Sequence, residues 1–514
     1  MKKSIIALLL GLMLFTLAGC SDWDTSELDD PLSDLTDYYT EKEDKAPALT
    51  SFTLPYFSNQ TLDPVTCPDG AQLTLGTLLY EGLFALDEQF ALQNVLAQSY
   101  SYDAASHTYT IQIRDGVNFT DGSRLSAYDA ADTLQRARSS DRYKARLTGV
   151  SSLYAEDSDT LILTLQQDNS SFLSRLDIPI VKSGTEDSLI PIGTGAYCWR
   201  TDDGTYLGVN SNWWQGKKLP LERIELLDCR NTDTMVYSFY AHETQLLMLD
   251  LTGTNTTSVS GSGNYTDAAT TVMQYIGFNT TREPFNNAAL RQAIHTGIDR
   301  DGIISKYLLG HADAAQFPVS PRSVLYPADL NISYSPDYFA SSMKAAGYSK
   351  GSSRTVTMIV NAENAFKVSM AQQIAKGLSH YDLDVDVSVL PWDQYLWALQ
   401  HGNFDLYYGE VRLTADWDIS PLILPGGSMN YGGYNNSITT ALLADYLRAG
   451  DDAQRSKAML VLCQNLSAQV PFLPVCFKNI SVLLPSGAVE AITPTAADPF
   501  YNMTAWQVNL SHKK

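Results

Sequence analysis

One stretch, Thr271–Gly310 (TVMQYIGFNTTREPFNNAALRQAIHTGIDRDGIISKYLLG), constrains the fold more than any other. Val272–Asn279 is rich in β-branched and aromatic residues and predicts a strand. Asn279–Asn287 places Pro284 among several Asn and Thr residues and predicts a turn. From Ala288 the apolar spacing becomes helical. Leu290, Ala293, Ile294, Gly297 and Ile298 share one face, whereas Arg291 and Asp299 point elsewhere. A second short helix, Arg300–Leu309, stops at Gly310, a residue suited to the left-handed position that closes helices.

The remainder reads as alternating strands and helices, which argues for an α/β architecture. Leu49–Tyr56 predicts a first strand, and Ala71–Leu86 carries a helical apolar face that runs into Tyr80-Glu81-Gly82-Leu83-Phe84. Tyr109–Ile113 alternates as a half-buried strand does. Arg114-Asp115-Gly116 and Thr120-Asp121-Gly122 have tight-turn chemistry, and Ser126 with Asp129 forms a near capping box. Leu161–Leu165, Tyr197–Arg200 and Ile224–Cys229 read as strands, and Phe172–Leu176 as a short helix. Trp213 and Trp214 read as packing residues. Gly193-Thr194-Gly195 is followed by a strand, so it lacks the spacing and the helix of a phosphate-binding loop. Thr252–Thr266 is polar and predicts a flexible stretch that precedes a crossing near residue 270. Beyond Gly310, helices are expected at Tyr338–Tyr348, Val368–Tyr381, Trp392–Gly402 and Ala453–Ser467. Strands are expected at Val356–Asn361, Leu383–Leu390 and Phe404–Glu410, and Val470–Phe477 is expected to run back to a hinge.

Several of these segments share their wording with one known family. Phe278, Asn279, Pro284, Phe285, Arg291, Ala293, Asp299 and Arg300 occur in the order found in the family 5 bacterial extracellular solute-binding proteins, the receptors of peptide-type and nickel-type ABC importers. Tyr80-Glu81-Gly82-Leu83, the strand running into Arg114–Gly122, and Gly193-Thr194-Gly195-Ala196-Tyr197 also resemble that family's segments, with Ala196 in place of a proline. The resemblance spans about Leu49 to the tail. It implies a two-lobe, type II periplasmic-binding-protein-like α/β fold with a hinge, whose first lobe carries an extra subdomain. The expected boundaries are 47–65, 188–270 and 478–514 for the first lobe, 66–187 for its extra subdomain, and 271–477 for the second lobe.

The same resemblance points to Leu390–Asn436 for ligand contacts. Ala415-Asp416-Trp417 stands where peptide-binding members place the aspartate that pairs with a ligand α-ammonium group, although Ile419-Ser420-Pro421 replaces the usual Asp-Pro. A carboxylate in a water-poor cleft is a strong ammonium partner because the charge-assisted bond is costly to leave unmade. The competing reading makes Asp416 the cap of a local turn. Arg412 would pair with a ligand carboxylate or with Glu410. Asn430, Tyr431 and Tyr434 lie in a loop resembling one that faces the family's cleft, and Trp417, Tyr408 and Trp392 complete the candidates.

Lys2 and Lys3 precede an apolar run, Ile5–Leu17, too short to span a bilayer. Leu17-Ala18-Gly19-Cys20 matches the lipobox of bacterial lipoproteins, which implies removal of residues 1–19 and lipidation of Cys20. Residues 21–46 hold ten Asp or Glu and two Lys, and predict a disordered, self-repelling tether. The expected location is the extracytoplasmic face of the membrane, on a lipid anchor. A formal net charge of −22 argues against nucleic acid as a partner. Cys67, Cys198, Cys229, Cys463 and Cys476 show no metal-ligand spacing. They are either buried thiols or, for Cys198 and Cys229, a possible bridge.

The expected function is capture of a solute, foremost an oligopeptide, by hinge closure and its delivery to a membrane permease by a monomer needing no cofactor or metal. A nickel-chelate or oligosaccharide receptor, and a surface sensor or adhesin, are alternatives on the same scaffold. A secreted hydrolase is disfavoured because no HExxH or Gly-x-Ser-x-Gly motif occurs.

Overall fold

The computed structural model describes residues 49–68, 70–254, 263–348, 354–379 and 383–510. The signal-peptide, Cys20 and acidic-tether readings lie outside the described residues.

Three sheets organise the chain. The first joins Thr53–Tyr56, Arg223–Asp228, Tyr206–Val209 and Tyr197–Arg200, in that order. The second is an antiparallel sheet of Ala97–Asp103, Thr108–Ile113, Thr160–Leu165 and Val150–Ala155. In Thr108–Ile113 every second residue is buried, because one face packs on the helix Ala127–Ser139 and the other faces outward. That helix starts at Ser126, where Asp129 completes the capping box by accepting from the Ser126 amide at 2.9 Å.

The third sheet has seven strands, most of which build the second lobe. Its parallel unit is strand Arg354–Asn361, helix Ala365–Leu378 and strand Leu383–Leu390. Val356, Met358 and Val360 face the buried side of that helix, Met370, Ile374 and Leu378, in one core. The central strand is Gly263–Phe278, longer than expected: it begins within the stretch read as polar and flexible. Among the described residues the end of that stretch is therefore paired backbone, bonded to Phe472–Pro485 from Gly263 onward.

These two strands connect the lobes. Phe472–Pro485 is buried almost throughout. Its Leu473, Val475 and Cys476 enter one core of the second lobe, Phe472 and Phe477 enter the other, and Val482 and Leu484 enter the core of the first sheet. Where the pair leaves one core for the other, the register shifts between Ala269 and Met273. In this bulge the Thr270 hydroxyl donates to the Lys478 carbonyl at 2.7 Å and accepts from the Val272 amide at 3.0 Å, so the irregular backbone stays bonded.

The strand–turn–helix follows as expected. Asn287 caps the helix Ala288–Thr296 by accepting from the Ala289 amide, and Asp299 caps Arg300–Tyr307. Arg291 differs from expectation. It is 3% exposed and donates to the carbonyls of Phe285, Gln469 and Val470. There it satisfies the carbonyl end of the helix Asp452–Gln469, whose last turns lack internal partners.

The helix at Ala71 also differs, ending at Leu79 rather than Leu86. Tyr80 is extended, and the Glu81 carboxylate binds Trp214 Nε1 and Thr194 Oγ1 at 2.8 Å, Trp213 Nε1 at 3.1 Å and Gln215 Nε2 at 3.3 Å. Four donors from two distant segments outweigh two more helical turns. The two tryptophans thus anchor a carboxylate as well as packing. Cys198, Cys229, Cys463 and Cys476 are buried free thiols, and Cys67 is buried as well. No helix among the described residues is long and apolar enough to cross a membrane.

Candidate functional site

A cleft of about 1490 Å³ runs along the connecting strands, larger than the roughly 300–1,000 Å³ usual for small-ligand pockets. Its floor includes Asp267, Ala269, Thr271 and Ile480, on and beside the bulge. One wall comes from the four-stranded subdomain and carries Arg142, Arg146 and Arg175. The opposite wall includes Arg412, Leu413, Thr414 and Met429 of the second lobe.

Acids line the cleft as well, and protein donors engage several of them. Arg146 pairs with Asp177, and also donates to the Arg175 carbonyl at 2.6 Å. Tyr102 donates to Asp168, and Asp267 accepts from Ser481 Oγ at 2.5 Å and lies 3.0 Å from His311 Nδ1. Arg412 is different. It ends the strand Leu406–Arg412, is exposed, and its side chain forms no hydrogen bond or ion pair among the described residues. Burial lowers the Arg146 guanidinium to about 10, with Tyr143 opposing and the Arg175 and Arg412 charges adding to the fall. It remains a cation at neutral pH.

Asp416 lies just behind this wall. Its side chain is 0% exposed, and its Oδ2 receives Arg175 Nη2 at 2.6 Å, Arg175 Nε at 2.7 Å and Asn169 Nδ2 at 2.7 Å. Asp418 takes the same Arg175 Nη2 at 2.9 Å and also caps the Ser420 amide. Burial opposes the Arg175 charge, but Asp416 and Asp418 raise its guanidinium above the ordinary value. Neighbouring bonds join segment 169–175 to 416–449, as Ser170 donates to the carbonyls of Leu447 and Ala449, and within the latter segment Tyr446 donates to the Asp416 carbonyl.

The other singled-out residues are placed as follows. Trp417 adopts a positive φ of 54° and is buried edge-to-face against Phe90 and Phe477. Tyr408 is buried and donates to Gln274 at 2.8 Å. Trp392 opens the helix Trp392–Gln400 with half its surface exposed. Asn430 ties its own loop by donating to the carbonyls of Leu424 and Tyr434. Tyr431 packs against Tyr407, and Tyr434 bonds Thr439 at 2.7 Å. Of the eight candidates, Arg412 alone is on the cleft wall.

Sequence reasoning did not single out Arg142, Arg146, Arg175 or Asn169. Arg142 and Arg146 stand one helical turn apart in SSDRYKARLTG, a spacing that would have put two cations on one face had the segment been read as a turn of helix.

The model of the bacterial extracellular solute-binding proteins, family 5 (middle), matches residues 91–427, more than half of the chain. This chain belongs to that family. Its members are extracytoplasmic solute-binding proteins of ABC importers, not enzymes. Among curated relatives, the glutathione-binding protein GsiB of Escherichia coli K12 is 26% identical over 448 residues, covering 82% of this chain and 87% of its own. Among solved structures, the periplasmic murein tripeptide binding protein MppA aligns with a TM-score of 0.74 at 17% identity, over 90% of this chain and 98% of that one. A nickel ABC transporter protein of Bacillus halodurans gives 0.73 at 17% identity, over 88% and 98%. Both share the two-lobe fold. Among the described residues no group of three or more His, Cys, Asp or Glu is arranged to hold a metal ion.

Proposed function

We propose that this chain is the receptor of an ABC importer that captures a small, peptide-like solute by a carboxylate, closes its lobes over it, and delivers it to the permease. The observation that carries the reading is Arg412, a cation on the cleft wall without a protein partner, facing a second wall that bears Arg142 and Arg146. Guanidinium groups match carboxylates in geometry and hold their charge. Glutathione and murein tripeptide, named for two of the similar proteins, are short peptides with more than one carboxylate. The cleft volume suits such a peptide with bridging water.

In this reading Arg412 and Arg146 contact the solute, and the bulged strand pair at Thr270 is the hinge. The receptor works as a monomer on the outer face of the membrane, held by lipid on Cys20, with residues 21–46 as its spacer. Calorimetry with trialanine and its C-terminal amide tests the carboxylate claim. A hydrogen bond to a charged group contributes about 1.5–3 kcal/mol. Amidation should therefore weaken binding by about ten- to a hundred-fold, and Arg412→Gln should remove most of that difference. Equal affinity of wild type for acid and amide would sink the reading.

A further inference from the structure

The family resemblance implies that Asp416 stands where an acid would meet a ligand ammonium group, yet the chain already supplies a cation there. Arg175 reaches it from the opposite wall with Nη2 at 2.6 Å and Nε at 2.7 Å, and Asn169 adds a third donor at 2.7 Å. All three converge on Oδ2. Oδ1 has no hydrogen-bond partner among the described residues, but the side chain is 0% exposed and the residue does not line the cleft. An incoming ammonium group would have to displace Arg175 and part the segments 169–175 and 416–449. Their other bonds, from Ser170 to the carbonyls of Leu447 and Ala449, resist this.

The Arg175 guanidinium is also shared with Asp418 at 2.9 Å and lies over the Phe172 ring, 4.9 Å from its centroid. A group held by two carboxylates and an aromatic face is fixed in place rather than free to swing aside. Burying the Asp416 charge demands a partner in every state where those segments touch. Arg175 meets that demand without a ligand.

We infer that Arg175 is a built-in substitute for a ligand α-ammonium group, a specificity-determining residue that makes the receptor indifferent to whether its solute has a free amino end. The inference rests on the solute-binding reading above. It extends the substrate class to carboxylate-bearing peptides whose amino end is blocked or otherwise engaged. Selection comes from Arg412 and Arg146 alone, and Asp416 serves the apposition of the two walls.

The test uses the purified protein, freed of co-purified solute, with trialanine, N-acetyl-trialanine and trialanine amide in calorimetry. Wild type should bind the first two within about three-fold of each other and the amide more weakly. Preference for the free amine by ten-fold or more overturns the inference. Arg175→Met uncovers Asp416 and should create a preference for the free amine of at least ten-fold. Because that variant leaves a buried charge unpaired and can fail to fold, Arg175→Met combined with Asp416→Asn is the second arm. The double variant should bind free and acetylated peptide as wild type does, and selective loss of the free peptide overturns the inference. If none of the three probes binds wild type, the peptide reading fails separately, and melting then judges Arg175. A lowered midpoint for Arg175→Met that Asp416→Asn restores supports the pairing, and additive losses overturn it.

Discussion

Glu81→Gln is the sharpest probe of how the first lobe is assembled. The Glu81 carboxylate takes two donors on each oxygen: Trp213 Nε1 and Gln215 Nε2 on Oε1, Trp214 Nε1 and Thr194 Oγ1 on Oε2. An amide of the same shape offers one oxygen and one NH2. If the oxygen faces Trp214 and Thr194, the NH2 meets Trp213 and Gln215. Gln215 can turn its own amide to accept, but Trp213 cannot. In the other orientation Thr194 can rotate to accept, and Trp214 is stranded. Either way one indole N–H loses its partner, since indole only donates. A stranded donor costs about 1–3 kcal/mol, and the remaining bonds lose their charge assistance, which roughly halves each. Against this, burial raises the Glu81 carboxyl above its ordinary range despite the four donors, so the ionised form already works against desolvation. The tryptophans are also half-exposed, and water can reach a stranded N–H. The net loss should be about 1–3 kcal/mol. Urea unfolding should show a lower midpoint with an unchanged slope. Hydrogen exchange should rise in 193–197 and 210–216 before it rises elsewhere. A variant as stable as wild type, or more so, would mean that desolvation of the carboxylate outweighs its four bonds.

Burial raises the Asp498 carboxyl to about 6 from its ordinary 3.8. Its stabilising, protonated form is complete below about pH 3.8 and lost as pH rises through about 6, so Asp498→Asn should gain about 1–3 kcal/mol at pH 8 and nothing at pH 3.5; a gain independent of pH would refute the assignment. Gly277→Ala would set a methyl 2.0 Å from the Tyr407 ring, and should cost at least about 2 kcal/mol, partly recovered by Tyr407→Leu; a neutral effect in thermal unfolding would mean the strand pair yields there. Cys20→Ala should move the protein from the detergent-rich to the aqueous phase on extraction, and an unchanged partition would end the lipid-anchor reading.

The scaffold was legible because its signals are local. The strand, turn and helix from Val272 onward, the capping box at Ser126 and the exact span of Leu383–Leu390 each depend on residues a few positions apart. What the sequence hid depends on distant partners. Arg291 is indistinguishable from a solvated arginine until Gln469 and Val470, over 170 positions later, arrive beside it. The helix from Ala71 keeps an apolar period through Phe84, and it stops early because Thr194 and the Trp213–Gln215 turn hold Glu81. The site was hidden for the same reason. Asp416 was legible as a special acid, but the cation that answers it lies 241 residues earlier.

The paired strands through the bulge at Thr270 also have a mechanical consequence. Two strands bonded side by side behave as a leaf spring, stiff against shear within the ribbon and compliant to bending out of its plane. The bulge thins that spring at one place, while the Thr270 hydroxyl keeps it bonded. If the ribbon is the hinge, motion of one lobe against the other would be confined to nearly a single degree of freedom, a flexure across the ribbon. Arg146 and Arg412, on opposite walls, would then approach along the same arc in every cycle.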